Sequence, residues 1–214
     1  MLRIHHLALS RSDRIVWLAE ELGIPYELVT HLRDPESFRA PPSLFAVTPL
    51  GKAPAIEDDG NTVIESALIC DYLVEQYGNG RLRPAAGTAE RRAHDYWMHC
   101  SESTLMVPVL LDLLTTLTQS EAPALRAFAA AEYKTMFDHV ERTLDGRDYL
   151  AGDALTVADV MTYYTLAMAA GTAIPMPTHA PLADYPRIRA YLARIEQRPA
   201  WKKAAALCAP PAAA

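Results

Sequence analysis

Apolar and polar residues alternate over residues 2–6 (Leu-Arg-Ile-His-His), the period-two pattern of a short strand. From Ser10 the period changes. Ile15, Leu18, Ala19 and Leu22 recur at helical spacing, and Gly23 follows where a helix C-cap belongs. Residues 25–30 predict a second strand, so the chain opens as strand, helix, strand, with a helix of crossover length. Asp34-Pro35 and Pro41-Pro42 break residues 34–46 into a turn or short helix. Two short strands, 54–57 and 61–64, flank a hairpin turn at Asp58-Asp59-Gly60-Asn61. A helix follows over 66–77, with Leu68, Ile69, Tyr72, Leu73 and Tyr77 on one face and Gly78 at its end.

The pattern after residue 79 is different. Residues 80–87 form a linker with Gly, Arg and Pro, and everything beyond is helical in period. One long segment runs from Thr88 to about Thr118, interrupted by Pro108, and a second runs over 123–144. A third starts at Thr156, a fourth spans about 186–197, and a short turn follows Pro199. The alanine-rich tail from Ala204 is expected to fray. The fold class is therefore α+β. A small β-α-β-α-β-β-α domain over 1–79 is followed, after the linker at 80–87, by an all-helical domain over 88–208.

Composition narrows the function classes. Half of the residues are apolar and 21% are charged, which suits a globular chain and excludes a disordered one. The net charge of −6, with Lys and Arg scattered, provides no basic footprint for nucleic acid or anionic lipid. Residues 160–183 lack Asp, Glu, Lys and Arg, yet Pro175, Pro177 and Pro181 argue for a buried helix and a Pro-rich loop rather than a membrane span. Cys70, Cys100 and Cys208 are far apart and form no CxxC, so neither a disulfide framework nor a metal site is expected. A reducing, cytoplasmic compartment fits this usage.

Four segments carry candidate chemistry. At Ser10-Arg11-Ser12 a strand turns into a helix, and a hydroxyl there either caps the helix or donates to a bound anion. At Lys52-Ala53-Pro54 a proline opens a strand. Such a proline is either a turn residue or a cis one that presents the Ala53 backbone to an extended ligand. At Glu65-Ser66 a helix start follows a carboxylate suited to an ammonium group, or else a solvated Glu precedes an ordinary cap. Thr156-Val157-Ala158-Asp159 is a capping box and reads as structure. His5 and His6 point to opposite sides of their strand, and Cys70 reads as a core thiol.

Taken together and in order, these segments resemble the cytosolic glutathione transferases over essentially the whole chain. The resemblance is carried by Ser10-Arg11-Ser12-Asp13-Arg14, Glu21-Leu22-Gly23-Ile24-Pro25-Tyr26-Glu27, Pro49-Leu50-Gly51-Lys52-Ala53-Pro54 and Glu65-Ser66. Leu155-Thr156-Val157-Ala158-Asp159 and Arg198-Pro199-Ala200-Trp201 extend it. Phe38-Arg39-Ala40-Pro41-Pro42 is similar to a branch with fungal and bacterial members. The resemblance implies a thioredoxin-like N-terminal domain, a helical C-terminal domain, a cis Pro54 and a homodimer. It implies glutathione as co-substrate, no metal, and a small electrophile as the second substrate. Ser10 would contact the glutathione sulfur, with Ser12 as its rival. Ala53 would bind the cysteinyl backbone, Glu65 and Ser66 the γ-glutamyl end, and Lys52 with Arg39 the glycyl carboxylate. The electrophile would lie between the domains, against residues of the 97–115 segment and Tyr163-Tyr164. A glutathione-dependent peroxidase, a disulfide reductase and a non-catalytic binding protein are the alternatives on the same scaffold.

Overall fold

The structure is a computed structural model that describes residues 1–174 and 180–210. Most of the Pro-rich loop predicted after the helix of the 160s lies outside the described residues, as does the end of the alanine-rich tail.

The chain divides into two compact units, residues 1–81 with 197–214, and residues 82–196. In the first, β1 (Arg3–Leu7), α1 (Asp13–Leu22) and β2 (Glu27–His31) form the expected crossover unit. They are followed by α2 (Pro42–Phe45), β3 (Ala55–Asp58), β4 (Asn61–Ile64) and α3 (Ser66–Tyr77). The sheet order is β2-β1-β3-β4. β1 runs parallel to β2, with Arg3 opposite Glu27 and Leu7 opposite His31. β3 is antiparallel to both β1 and β4. This is the thioredoxin-like arrangement.

Local chemistry explains the boundaries. Asp58 pairs with Asn61, so Asp59 and Gly60 alone turn the hairpin, both at positive φ (46° and 82°). Gly23 ends α1 in the left-handed conformation at φ 66°, and its N–H bonds the Ala19 and Glu20 carbonyls. Gly78, by contrast, is right-handed at the end of α3, and Asn79 takes the positive φ instead. Ile4, Ile15, Val16, Leu18, Ile56, Ile69 and Leu73 fill the core of this unit.

The second unit is helical: α4 (Ala89–Glu102), α5 (Met106–Leu117), α6 (Pro123–Thr143), α7 (Val157–Ala169) and α8 (Pro186–Glu196). The break between α4 and α5 falls at residues 103–105, ahead of the predicted Pro108. A proline has no N–H to donate, and the first turn of a helix needs none, so Pro108 sits inside the start of α5. All thirteen residues of α7 are buried, which accounts for the lack of charged residues after Asp159. Its capping box is present, and the Asp159 carboxylate accepts from Leu150 N, Thr156 N and Oγ1, and the Tyr191 hydroxyl.

The last helix corrects the predicted domain limits. A turn was expected after Pro199 and a frayed tail after Ala204, but α9 is a ten-residue helix, Pro199–Cys208. It packs on α1 in the first unit, so the helical unit closes at Glu196 rather than at 208. Arg198 pairs with Glu21, Lys203 Nζ lies 2.8 Å from Glu20, and Ala204 and Cys208 are buried.

Candidate functional site

Three segments distant in sequence meet at one recess in the first unit. Arg11 comes from the β1–α1 turn; Thr48, Leu50, Lys52, Ala53 and Pro54 come from the stretch after α2; Ile64, Glu65 and Ser66 come from the β4–α3 junction. The recess has a volume of about 110 Å³. Five of the seven predicted site residues line it: Lys52, Ala53, Pro54, Glu65 and Ser66. Arg39 does not; it sits exposed on the loop before α2. Ser10 adjoins Arg11 in the chain but is not among the lining residues. Arg11, which the sequence did not single out, is.

The stretch from α2 to β3 is held in place locally. Leu44 of α2 is buried against Leu7 and Ala53, with Ala40 packed alongside. Thr48 Oγ1 accepts from Lys52 N at 3.2 Å, and Thr48 O accepts from Gly51 N at 3.1 Å. Gly51 has φ 56°, and a Cβ on it would stand 2.5 Å from the Phe45 ring, so any other residue would be strained there and would displace that ring. The Ala53–Pro54 peptide is cis.

At the other wall, Glu65 precedes α3 at φ 75°, ψ 123°. That conformation is costly for a residue with a side chain, and it persists where surrounding structure imposes it. Glu65 is exposed, Ser66 is buried, and the first-turn N–H groups of α3 have no partner within the helix. The recess thus combines the cations of Arg11 and Lys52, the carboxylate of Glu65 and a helix N-terminus. A ligand carrying both ammonium and carboxylate groups matches that set.

Beside the recess, the two candidate serines differ. Ser12 is fully buried and its hydroxyl does not cap α1. Instead its Oγ lies 2.8 Å from His6 Nδ1, accepts from Leu7 N at 3.1 Å and lies 2.7 Å from Ser10 Oγ. Ser10 is half-buried, and its Oγ accepts from Ser12 N at 3.2 Å. Burial lowers the His6 pKa to about 4, so the ring is neutral near pH 7 and carries one N–H. Ser12 Oγ accepts from Leu7 N–H, and its own proton goes either to the Leu7 carbonyl at 3.3 Å, to His6 Nδ1 or to Ser10 Oγ. In the last arrangement, with His6 Nδ1–H donating to Ser12 Oγ, Ser10 keeps its own proton free to give. His5, as predicted, faces the other side, bonded to His31 Nε2 and Glu57 Oε2, each at 3.1 Å.

Tyr163 and Tyr164, candidates for lining an electrophile pocket, are both buried in α7, where Tyr163 donates to Glu196. Cys70 is buried in α3, in keeping with a core thiol.

A thioredoxin-like unit with a polar recess at the cis proline and the α3 N-terminus, joined to a helical unit, defines the glutathione transferase class of enzyme. The chain belongs to the glutathione S-transferase family: the family's N-terminal domain matches residues 10–76 and its C-terminal domain residues 116–194. It is 32% identical to glutathione S-transferase 3 of Schizosaccharomyces pombe, over 96% of this chain and 87% of that one. The solved glutathione S-transferase of Actinobacillus pleuropneumoniae superposes with a TM-score of 0.85 at 32% identity, over 97% of this chain and 93% of that one. A sphingomonad glutathione S-transferase solved with glutathione bound superposes at 0.76 with 25% identity, over 96% and 98% of the two chains.

Proposed function

We propose that the recess binds glutathione as an extended peptide and that Ser10 donates a hydrogen bond to its sulfur. Glu65 takes the γ-glutamyl ammonium, and Ser66 with the α3 N-terminus takes the adjoining carboxylate. Ala53 offers its main chain to the cysteinyl unit, and Lys52 meets the glycyl carboxylate. Arg11 adds a cation on the side nearest Ser10. The observation that carries this reading is the convergence of Lys52, Ala53, Pro54, Glu65 and Ser66 on one recess.

The magnitudes are sufficient. A free thiol has a pKa near 8.5, and lowering it by about two pH units takes roughly 2.7 kcal/mol. One hydroxyl hydrogen bond to a charged acceptor supplies about 1.5–3 kcal/mol. The amide dipoles at the start of a helix add up to about 2 kcal/mol. The thiolate then attacks a small electrophilic carbon. In the helical unit the outward apolar side chains of Val107, Leu110 and Leu114 support an electrophile surface on α5.

Exposed Phe45, Leu50 and Leu68 in the first unit offer apolar surface to a second copy, which supports a homodimer. Three buried free thiols suit a cytoplasmic protein, and detoxification is the role that conjugation of small electrophiles serves. Calorimetric titration with glutathione, with thiolate absorbance followed against pH in the complex, tests the binding and activation. Parallel assays with an aryl halide, a hydroperoxide and a mixed disulfide test the reaction; turnover of the last two without the first replaces conjugation with peroxidase or reductase chemistry.

A further inference from the structure

Around the His6 ring, ligand-bearing side chains from the two ends of the first unit's sequence come together. They are His6 on β1, Asp13 at the start of α1 and Cys208 at the end of α9. A ring nitrogen of His6, a carboxylate oxygen of Asp13 and Cys208 Sγ all lie within 4.8 Å of one another. We infer that these residues form a site for a divalent cation of the zinc type.

Two observations beyond proximity support it. His6 is 1% exposed, and its Nε2 makes no hydrogen bond of ordinary geometry among the described residues, although the Cys208 main chain acts on the ring. Asp13 Oδ1 is likewise shielded from solvent and without a hydrogen-bond partner, although 32% of the side chain is exposed. A buried polar atom without a partner is costly, and two in one cluster indicate a ligand that satisfies both. In the tautomer that binds metal here, the His6 proton is on Nδ1, facing Ser12 Oγ at 2.8 Å and Asp13 Oδ1 at 3.5 Å. Nε2 is then a lone pair, the form in which imidazole binds a metal, with its other nitrogen oriented by an outer partner.

Donor type selects the ion. Imidazole, carboxylate and thiolate together favour zinc, cobalt or copper over magnesium and calcium, which take oxygen. Bonds of about 2.0–2.3 Å in a tetrahedral site place donors about 3.5 Å apart, so the cluster needs to contract by roughly 1 Å. Binding exchanges the Cys208 thiol proton for the metal, and that proton leaves to solvent. Three protein ligands leave a fourth position, open to water past the part-exposed Asp13. The metal would join α9 to β1 and α1, tightening the packing that already holds the last helix.

The test uses tag-free full-length protein stripped with chelator, in buffer without glutathione. Cobalt(II) is the probe, because it occupies tetrahedral zinc sites and shows an intense near-ultraviolet band when a thiolate is bound. We expect one cobalt ion per chain with that band, displacement by zinc, and a higher Tm with zinc than without. Cys208→Ala should abolish the band and weaken zinc binding at least tenfold in calorimetry. Asp13→Asn, nearly isosteric, should weaken it similarly and decides the matter where Cys208→Ala fails to fold. Absence of stoichiometric uptake overturns the inference. So does zinc binding that both variants leave unchanged, since the ion then sits elsewhere.

Discussion

Arg198 grips Glu21 across 177 residues of chain, with Nε 2.6 Å from Oε1 and Nη2 2.8 Å from Oε2. Glu21 is only 8% exposed, and its Oε1 also accepts from Trp17 Nε1 at 2.9 Å. Truncating the arginine leaves a shielded carboxylate short of a partner. Because Arg198 is itself 30% exposed, the cost is below that of a fully buried pair. Arg198→Ala should lower stability by about 1–3 kcal/mol in chemical denaturation. A midpoint unmoved from that of the parent chain would mean that α9 docks through its apolar face alone.

The serine pair gives the sharpest test of activation. Ser10→Ala should raise the pKa of bound glutathione by about one to two pH units, with affinity little changed. Ser12→Ala should chiefly destabilise the fold, by about 1–3 kcal/mol, because it leaves the buried Leu7 N–H and His6 Nδ1 without their acceptor. Thiolate absorbance against pH reads the first effect and thermal melting the second. Swapped results would exchange the two roles.

Glu65 should separate binding from stability. Glu65→Ala should weaken glutathione binding by about 1.5–3 kcal/mol, roughly tenfold to a hundredfold, as for a lost bond to a charged group. Glu65→Gly should do the same while raising stability by about 1 kcal/mol, because glycine accepts φ 75° without strain. Calorimetry and melting on the two variants check both halves. Unchanged affinity would place Glu65 outside the ligand's reach.

In the helical unit, Asp159→Ala should cost about 3–5 kcal/mol. It strands the buried N–H groups of Leu150 and Thr156 and the Tyr191 hydroxyl together. Asp159→Asn, which keeps the shape and one acceptor, should cost less. Equal losses would point to packing rather than to the hydrogen bonds.

Burial holds His94 and His139 below their ordinary value of 6.5. Between the folded and unfolded values, the unfolded chain binds a proton that the folded chain does not. Stability contributed by these residues therefore rises with pH up to about 6.5 and is lost as pH falls below it. Denaturation midpoints across that range should show the slope, to which the likewise lowered His6 and His31 add, and His94→Gln should reduce it. An undiminished slope would assign it to other groups.

Much of this was legible because the signals are local. The hairpin at Asp59-Gly60, the α3 boundaries and the capping box at Thr156 each depend on neighbours within a few residues. Lys52, Ala53, Pro54, Glu65 and Ser66 were legible through motif order. Arg11 was not, because a charged residue in a turn looks the same whether it faces solvent or a recess. Alanine-rich residues 204–208 were read as a frayed tail, since nothing local indicates that α1 offers Glu20 and Glu21 to Lys203 and Arg198. The His6, Asp13 and Cys208 cluster was illegible for the same reason: its spacing along the chain matches no ligand pattern, and only folding brings the donors together.

The placement of α9 reverses the usual order of events during synthesis. A ribosome delivers the N-terminal sheet first, and domains ordinarily fold in the order they emerge. Here the first unit lacks its last helix until residues 199–208 leave the exit tunnel, whereas residues 82–196 are complete before then. The α9-facing surface of α1 therefore stays uncovered until the helical unit has already been made. The unit that holds the candidate site is begun first and finished last.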